Sequence, residues 1–198
     1  LGDVYKRQPH QNWLTAMPLP RRGAGGAHYA MNQHSGPDRR IKNVRCDDAK
    51  ELKKACKRYG VPCQTSAPYI HQNNGLAESY VRIEINGARC DLAQAGAPIT
   101  FWPYAAEHFA FSRNITYTVD GETPYEKRFN EGPFPGLRAP FGAAVRFKQL
   151  PTIEKSKEVS KYGPSMVPGV FVGWKLAPGG QWTMRYLCVH LQEFVNRT

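Results

Sequence analysis

Two carboxylates, Asp47 and Glu78, stand where an α/β protein often carries its chemistry. Asp47 directly follows a predicted strand at 41–46, and ligand-binding and catalytic groups concentrate at the carboxyl ends of such strands. Glu78 falls in the first turn of a predicted helix at 76–95, where the helix dipole favours a negative charge. Each has a plain structural alternative: Asp47 as a turn or helix-capping acid, and Glu78 in an i, i+4 surface pair with Arg82.

The elements that position these carboxylates follow from local patterns. Alternating apolar and polar residues predict the strand at 41–46, and a second short strand follows at 61–64. Between them Asp48 looks like the N-cap of a helix, with Glu51 three residues on as in a capping box. Gly60 ends that helix. We therefore expect an α/β fold with a mixed sheet.

Further elements surround this unit. A strand is predicted at 12–19, a short helix at 27–32, and a helix at 102–114. The helix at 76–95 has one apolar face at helical spacing. The residues of that face are Ala77, Val81, Ala88, Leu92 and Ala95.

After Phe141 the pattern changes to short β-type runs separated by Gly and Pro, which predicts a small antiparallel β module. We divide the chain into an adapter-like stretch at 1–8, a core at 9–130, a linker at 131–140 and the β module at 141–198.

The composition indicates an anionic partner. The 198 residues include 27 Lys and Arg against 16 Asp and Glu, a formal net charge of +11. Such an excess points most often to nucleic acid, although a merely soluble basic protein would show it too. Between residues 39 and 58, nine basic residues stand against three acidic ones, so much of the excess lies beside Asp47. No apolar run approaches the roughly 20 residues of a membrane span.

Cysteine usage favours reduced thiols in an intracellular protein. The five cysteines are odd in number and include no C-x-x-C pair, and no cysteines and histidines stand at zinc-finger spacing. We expect Cys56 and Cys63 in or near the core.

Several segments, in the same order, resemble one family. VRCDDAKEL (44–52) and TSAPYIHQNNGLAES (65–79) resemble the segments of retroviral-type integrases that carry the catalytic aspartate and glutamate, here Asp47 and Glu78. FWPYAAEHFAFSRNIT and ETPYEKRF are similar to the segments that follow. PFGAAVRF and VPGVFVGWKLAPGGQW resemble those after the core in copia-type retrotransposon polyproteins. The resemblance extends over 13–194.

This resemblance implies a partial RNase H-like mixed sheet with flanking helices, followed by a small SH3-like β module. It implies DNA integration, in the nucleus, by a homo-oligomeric polynucleotidyl transferase that trims DNA 3′ ends and joins them to target DNA. The family holds two Mg²⁺ or Mn²⁺ ions on two Asp and one Glu, and Asp47 and Glu78 would be two of these ligands. Hard cations prefer carboxylates, and ions about 3.5–4 Å apart stabilise both oxygens of an in-line displacement.

The sequence departs from the family at several positions. Ala49 replaces a glycine, Asp48 an asparagine and His71 a proline. Asp48 could be mistaken for the ligand, and we prefer Asp47 because it aligns and Asp48 looks like the helix cap.

The largest departure concerns the first catalytic aspartate. The family places it five residues before an aromatic residue, and here Gln8 stands at that distance from Trp13, within the adapter-like LGDVYKRQ. We expect this aspartate to be lost by truncation and the chain as given to be inactive. The alternative is a catalytically dead DNA-binding remnant of the same fold.

Candidate DNA contacts fall in three groups. Lysines on the polar side of the helix before Gly60 could hold phosphates, although a solvated helix face explains them equally well. Loop amides precede Glu78, and two arginines share its polar stripe. The candidates are Lys53, Lys57, Gln72, Asn73, Asn74, Arg82 and Arg89.

Overall fold

The computed structural model describes residues 12–46, 48–65, 75–118, 120–148 and 165–196, with the backbone alone at 76 and 77. Within these parts of the chain, no helix is both long and apolar enough to cross a membrane. The predicted α/β class is confirmed. The elements are α1 (Ala24–Ser35), β1 (Val44–Cys46), α2 (Lys50–Tyr59), β2 (Cys63–Thr65), α3 (Gly75–Ala95), α4 (Trp102–Thr116), α5 (Pro124–Phe129), β3 (Ala144–Phe147), β4 (Val167–Leu176), β5 (Trp182–His190) and α6 (Leu191–Val195).

The strands β1 and β2 run parallel, and α2 connects them. Their register pairs Val44 with Cys63 and Cys46 with Thr65, so both strands end at one edge of the two-stranded sheet. Gly60 ends α2 in the left-handed conformation, at φ 78°, as the sequence predicts.

The predicted cap of α2 is wrong. Ala49 occupies the N-cap without a side-chain hydrogen bond, and Asp48 lies one residue outside the helix. From there its carboxylate is not placed to accept from the first-turn amides, as an N-cap side chain would. Asp48 instead forms an ion pair with Lys53.

Helices α3 and α4 pack against each other, with Gly87 at their closest approach. A Cβ at Gly87 would lie 2.2 Å from the Phe109 ring, so only glycine fits this crossing without movement of the ring. Leu92 farther along α3 is buried in the core that α4 shares with β4.

Only part of the apolar face predicted for α3 is covered. Ala88 is buried with Leu92, and Ala95 packs against the same core. Val81, on the same apolar face, is 55% exposed. The core contributed by α4 and β4 reaches only the C-terminal half of this face. The side chain of Ala77 lies outside the described residues.

The strands β3, β4 and β5 form an antiparallel sheet in that order, which confirms the predicted antiparallel module. The central strand β4 contributes to two apolar clusters. Val170 and Val172 join the cluster with α3 and α4, while Phe171 and Trp174 join a second one that also contains Phe134. The proposed boundaries at 131–140 stay a prediction.

The buried side chain of His108 connects α4 with α3, with the segment at Ala139 and with β4. His108 on α4 lies 2.7 Å from the carboxylate of Asp91 on α3 through Nδ1, and its Nε2–H donates to the carbonyl of Ala139 at 3.1 Å. Its ring stacks on Trp174 of β4, with ring centroids 5.1 Å apart. Because a carbonyl can only accept, the Ala139 contact fixes a proton on Nε2.

The chain before α2 differs from the sequence-based prediction at one point. The predicted helix at 27–32 is confirmed within the longer α1. Residues 12–19 form no strand in the structure described, so that prediction is wrong. The buried side chain of Asn114 forms the hydrogen bonds with the Leu14 backbone that a neighbouring strand would otherwise form.

Candidate active site and basic surface

The sheet edge formed by β1 and β2 lies next to the first predicted carboxylate in the chain. β1 ends at Cys46, immediately before Asp47, and β2 ends at the same edge, at Thr65, with Glu78 in the first turn of the next helix, α3. The carboxyl ends of parallel strands are a frequent location for ligand-binding groups. Asp47 itself lies outside the described residues, so its role as a metal ligand stays a prediction.

Glu78 lies in the first turn of α3 with an exposed side chain. The positive end of the helix dipole stabilises its negative charge there. Within the described parts of the chain, Glu78 forms no ion pair with Arg82, so the surface-pair alternative is not what the structure shows. The carboxylate is therefore accessible to a cation.

The neighbouring acid, Asp48, is already engaged. It pairs with Lys53, and both side chains are exposed. The hydrogen bond with Asp48 raises the pKa of Lys53 above its ordinary value. Because Asp48 already pairs with a lysine of the helix that follows it, it is a poorer candidate for a cation ligand than an unpaired carboxylate would be.

Basic side chains lie on two exposed helix faces. Lys53 and Lys57 are exposed on α2. Arg82 and Arg89 are exposed on α3, and their spacing from Glu78 places all three on one side of the helix. Gln72, Asn73 and Asn74 lie outside the described residues. The contact of these seven side chains with DNA stays a prediction.

Carboxylate chemistry fits a hard divalent cation, but the structure gives only part of a donor set. Among the described residues, no three His, Cys, Asp or Glu side chains are grouped to hold a metal ion. That finding does not include Asp47. Glu78 offers oxygen donors of the type that Mg²⁺ and Mn²⁺ prefer. Gln8, an amide at the spacing expected for the family's first aspartate, also lies outside the described residues.

Sequence reasoning missed a thiol contact between the two strands of this sheet. The Sγ atoms of Cys46 and Cys63 lie 3.2 Å apart. Cys56 is buried and Cys63 half-buried, as predicted. The signal that could have shown the contact is the pairing register, since residues two positions apart on neighbouring strands share a face of the sheet.

A strand pair that ends at one carboxylate, followed by a helix that begins with another, is typical of α/β proteins with a site at the sheet edge. No protein-family model matches the chain. The retrovirus-related Pol polyprotein from transposon RE1 of Arabidopsis thaliana is 30% identical over 142 residues, which cover 68% of this chain and 9% of that polyprotein. The corresponding polyprotein from transposon RE2 of the same plant is 25% identical over 136 residues, 65% of this chain and 9% of that polyprotein.

The chain is a homologue of one segment of these retrovirus-related Pol polyproteins. This relationship is consistent with the resemblance to the integrase core of a retrotransposon polyprotein. The chain spans about a tenth of the length of these curated relatives.

Two solved structures show a partial likeness. The crystal structure of the catalytic core domain of BIV integrase is 20% identical with a TM-score of 0.45, covering 61% of this chain and 80% of that one. The simian T-cell lymphotropic virus intasome in complex with PP2A regulatory subunit B56 gamma is 16% identical with a TM-score of 0.46, covering 88% and 68%.

Proposed function

We propose that this chain is part of a copia-type retrotransposon integrase that acts in DNA integration. The observation that supports this most is the sheet edge, where β1 ends immediately before Asp47 and β2 ends beside it, with Glu78 in the first turn of the next helix along the chain, α3. The homologous Pol polyproteins from plant transposons are proteins in which such a segment would be expected. The RNase H-like assignment, double-stranded DNA as partner, assembly as a homo-oligomer and location in the nucleus belong to the same proposal.

In the proposed site, Asp47 and Glu78 bind divalent cations through their carboxylate oxygens. Bound Mg²⁺ or Mn²⁺ would supply charge stabilisation for an in-line displacement at phosphorus. Glu78 lies in the first turn of a long helix whose C-terminal half packs into the core, and its carboxylate is exposed. Basic residues on α2 and α3 hold the DNA backbone through phosphates and do not read its sequence.

A second candidate function follows from Gln8. An amide at the position of the first aspartate would leave two carboxylates of three, and a smaller negative charge binds a hard cation more weakly. The chain would then bind DNA without processing it. This alternative is the catalytically dead DNA-binding remnant.

The experiment combines a binding assay with a reaction assay. Fluorescence anisotropy measures the affinity for a DNA duplex and for an RNA duplex of equal length across a salt series, because phosphate contacts give a steep salt dependence. A labelled oligonucleotide with Mg²⁺ or Mn²⁺ then reports 3′-end trimming and strand transfer, in the chain as given and in Gln8→Asp. Glu78→Gln is the matched control because it removes one charge at nearly constant size.

Each outcome separates the candidates. Turnover that disappears in Glu78→Gln supports the integrase. If the chain as given shows such turnover, the expectation that it is inactive is wrong. Salt-dependent binding to the DNA duplex without turnover in any form favours the remnant. Equal or tighter binding to RNA, or no binding to either duplex, contradicts both.

A further inference from the structure

We propose that Cys46 and Cys63 form a reversible disulfide across the β1–β2 pair. Their Sγ atoms are 3.2 Å apart, and a disulfide requires about 2.05 Å, so an approach of roughly 1 Å closes the bond. Both side chains are half-buried, which leaves them within reach of a small reagent.

The register explains why this bond would be strained and therefore easily reduced. Cys46 pairs with Thr65 and Cys63 with Val44, so the two cysteines are diagonal neighbours. Strand spacing and rise place diagonal Cα atoms roughly 8 Å apart, beyond the usual limit of about 7 Å for a disulfide. Closure therefore needs movement of the backbone. Cys46 is the last residue of β1, where such movement breaks the fewest ladder hydrogen bonds.

A third thiol lies beside the pair and does not compete with it. Cys56 on α2 is 1% exposed. Its burial, followed by its hydrogen bond with Cys63, raises the pKa of the Cys56 thiol to about 11. It therefore stays protonated and unreactive at neutral pH, since the thiolate is the attacking species.

The oxidant in this proposal is a small anionic disulfide of the glutathione type. One protein thiolate attacks a sulfur of the small disulfide and releases one small thiol. The second protein thiol then displaces the other small thiol from the mixed disulfide. Two protein S–H bonds and one small S–S bond become one protein S–S bond and two small thiols. The exposed Lys57 on α2 favours the approach of an anionic reagent.

This bond would lie directly before Asp47, so its closure would move the start of the proposed site. That consequence rests on the proposed function. The disulfide does not, and its test uses neither DNA nor metal.

The experiment treats the whole chain with oxidised glutathione, blocks the remaining thiols and maps peptides by mass spectrometry. We expect an internal link that joins the Cys46 and Cys63 peptides, with the loss of two hydrogen atoms, and its complete reversal by glutathione. Cys46→Ser, Cys46→Ala and Cys63→Ser should abolish the link. Cys90→Ser is the matched control, because Cys90 is exposed on α3, and it should leave the link unchanged.

Three results would overturn the proposal: a link between Cys56 and Cys63, glutathione adducts alone on the folded chain, or the same link pattern in folded and urea-unfolded protein. Far-UV circular dichroism of each variant identifies loss of folding. If a serine variant does not fold, the cross-linked peptides from the wild-type chain still decide which thiols pair.

Discussion

The side chain of Asn114 holds both backbone groups of Leu14. The Leu14 N–H donates to Asn114 Oδ1 at 2.8 Å, and Asn114 Nδ2 donates to the Leu14 carbonyl at 2.7 Å. Asn114 is 1% exposed, so water does not compete for these groups. The side-chain amide of Asn114 on α4 thus supplies hydrogen-bond partners for the backbone of Leu14, which has no neighbouring strand.

Replacing Asn114 by alanine should strongly destabilise the fold. The change leaves the half-buried N–H and C=O of Leu14 without partners. A fully buried group without a partner costs about 1–3 kcal/mol, so for these two half-buried groups we expect a loss at the lower end, about 2 kcal/mol, in the free energy of unfolding. Urea unfolding followed by tryptophan fluorescence measures it. Asn86→Ala, at an exposed position of α3, should change the same free energy by less than about 0.5 kcal/mol. Equal effects of the two changes would refute the role assigned to Asn114.

This contact also shows where prediction from the sequence ends. The local signals were sufficient at Gly60, whose positive φ ends α2 as predicted. They were insufficient at 12–19, because the partner of Leu14 is a side chain 100 residues away. Asp48 was misassigned because α2 begins one residue later than predicted. Its side chain therefore does not cap the helix and forms an ion pair with Lys53.

For the candidate site, the sequence predicted the elements that lead to Asp47 and Glu78, since periodicity and caps are local. It did not predict that the Cys46 and Cys63 thiols meet, because that depends on the strand register. The exposure of Val81 could not be predicted either, because periodicity alone does not show how far a packing partner extends along a helix.

Adding a single methyl group at Gly87, where α3 crosses α4, should destabilise the fold. Its Cβ would lie 2.2 Å from the Phe109 ring, and overpacking costs about 1–3 kcal/mol against the roughly 1 kcal/mol that alanine gains in a helix. We expect Gly87→Ala to lower the free energy of unfolding, or at best leave it unchanged. A simultaneous Phe109→Leu change should restore part of any loss.

Gly25→Ala is the matched control. Gly25 also lies within a helix, and no heavy atom lies within 4 Å of the added Cβ. This change should stabilise the chain by about 0.5–1 kcal/mol. Stabilisation of the same size by Gly87→Ala in urea unfolding would show that Phe109 does not restrict the crossing.

His34 should make the fold sensitive to mild acid. Burial, followed by the nearby Arg128 guanidinium, lowers its pKa from 6.5 to about 4. The unfolded chain therefore binds a proton between about pH 6.5 and 4 that the folded chain does not. The contribution of neutral His34 to the free energy of unfolding is therefore complete above pH 6.5. It is lost as the pH falls towards 4, which lowers the free energy of unfolding by up to about 3 kcal/mol.

Urea unfolding at several pH values in this range measures the slope. His34→Gln should flatten it, since glutamine does not titrate. His28→Gln removes a histidine that contacts Asn32 and the Tyr59 ring, and it should leave the slope in place. A slope that is unchanged in His34→Gln would assign the acid sensitivity to other groups.

The ion pair between Asp48 and Lys53 makes a specific prediction about DNA binding, which depends on the proposed function. Lys53 is neutralised by Asp48, while Lys57 is exposed on the same helix. We expect Lys57→Ala to weaken binding to a DNA duplex and to reduce the salt slope by about 1, the value for one lost phosphate contact. Lys53→Ala should have a smaller effect, and Asp48→Asn should tighten binding by releasing Lys53. Arg185→Ala, at an exposed position of β5, is the charge-matched control. Equal losses in Lys57→Ala and Arg185→Ala would mean that net charge, and not the α2 surface, determines the affinity.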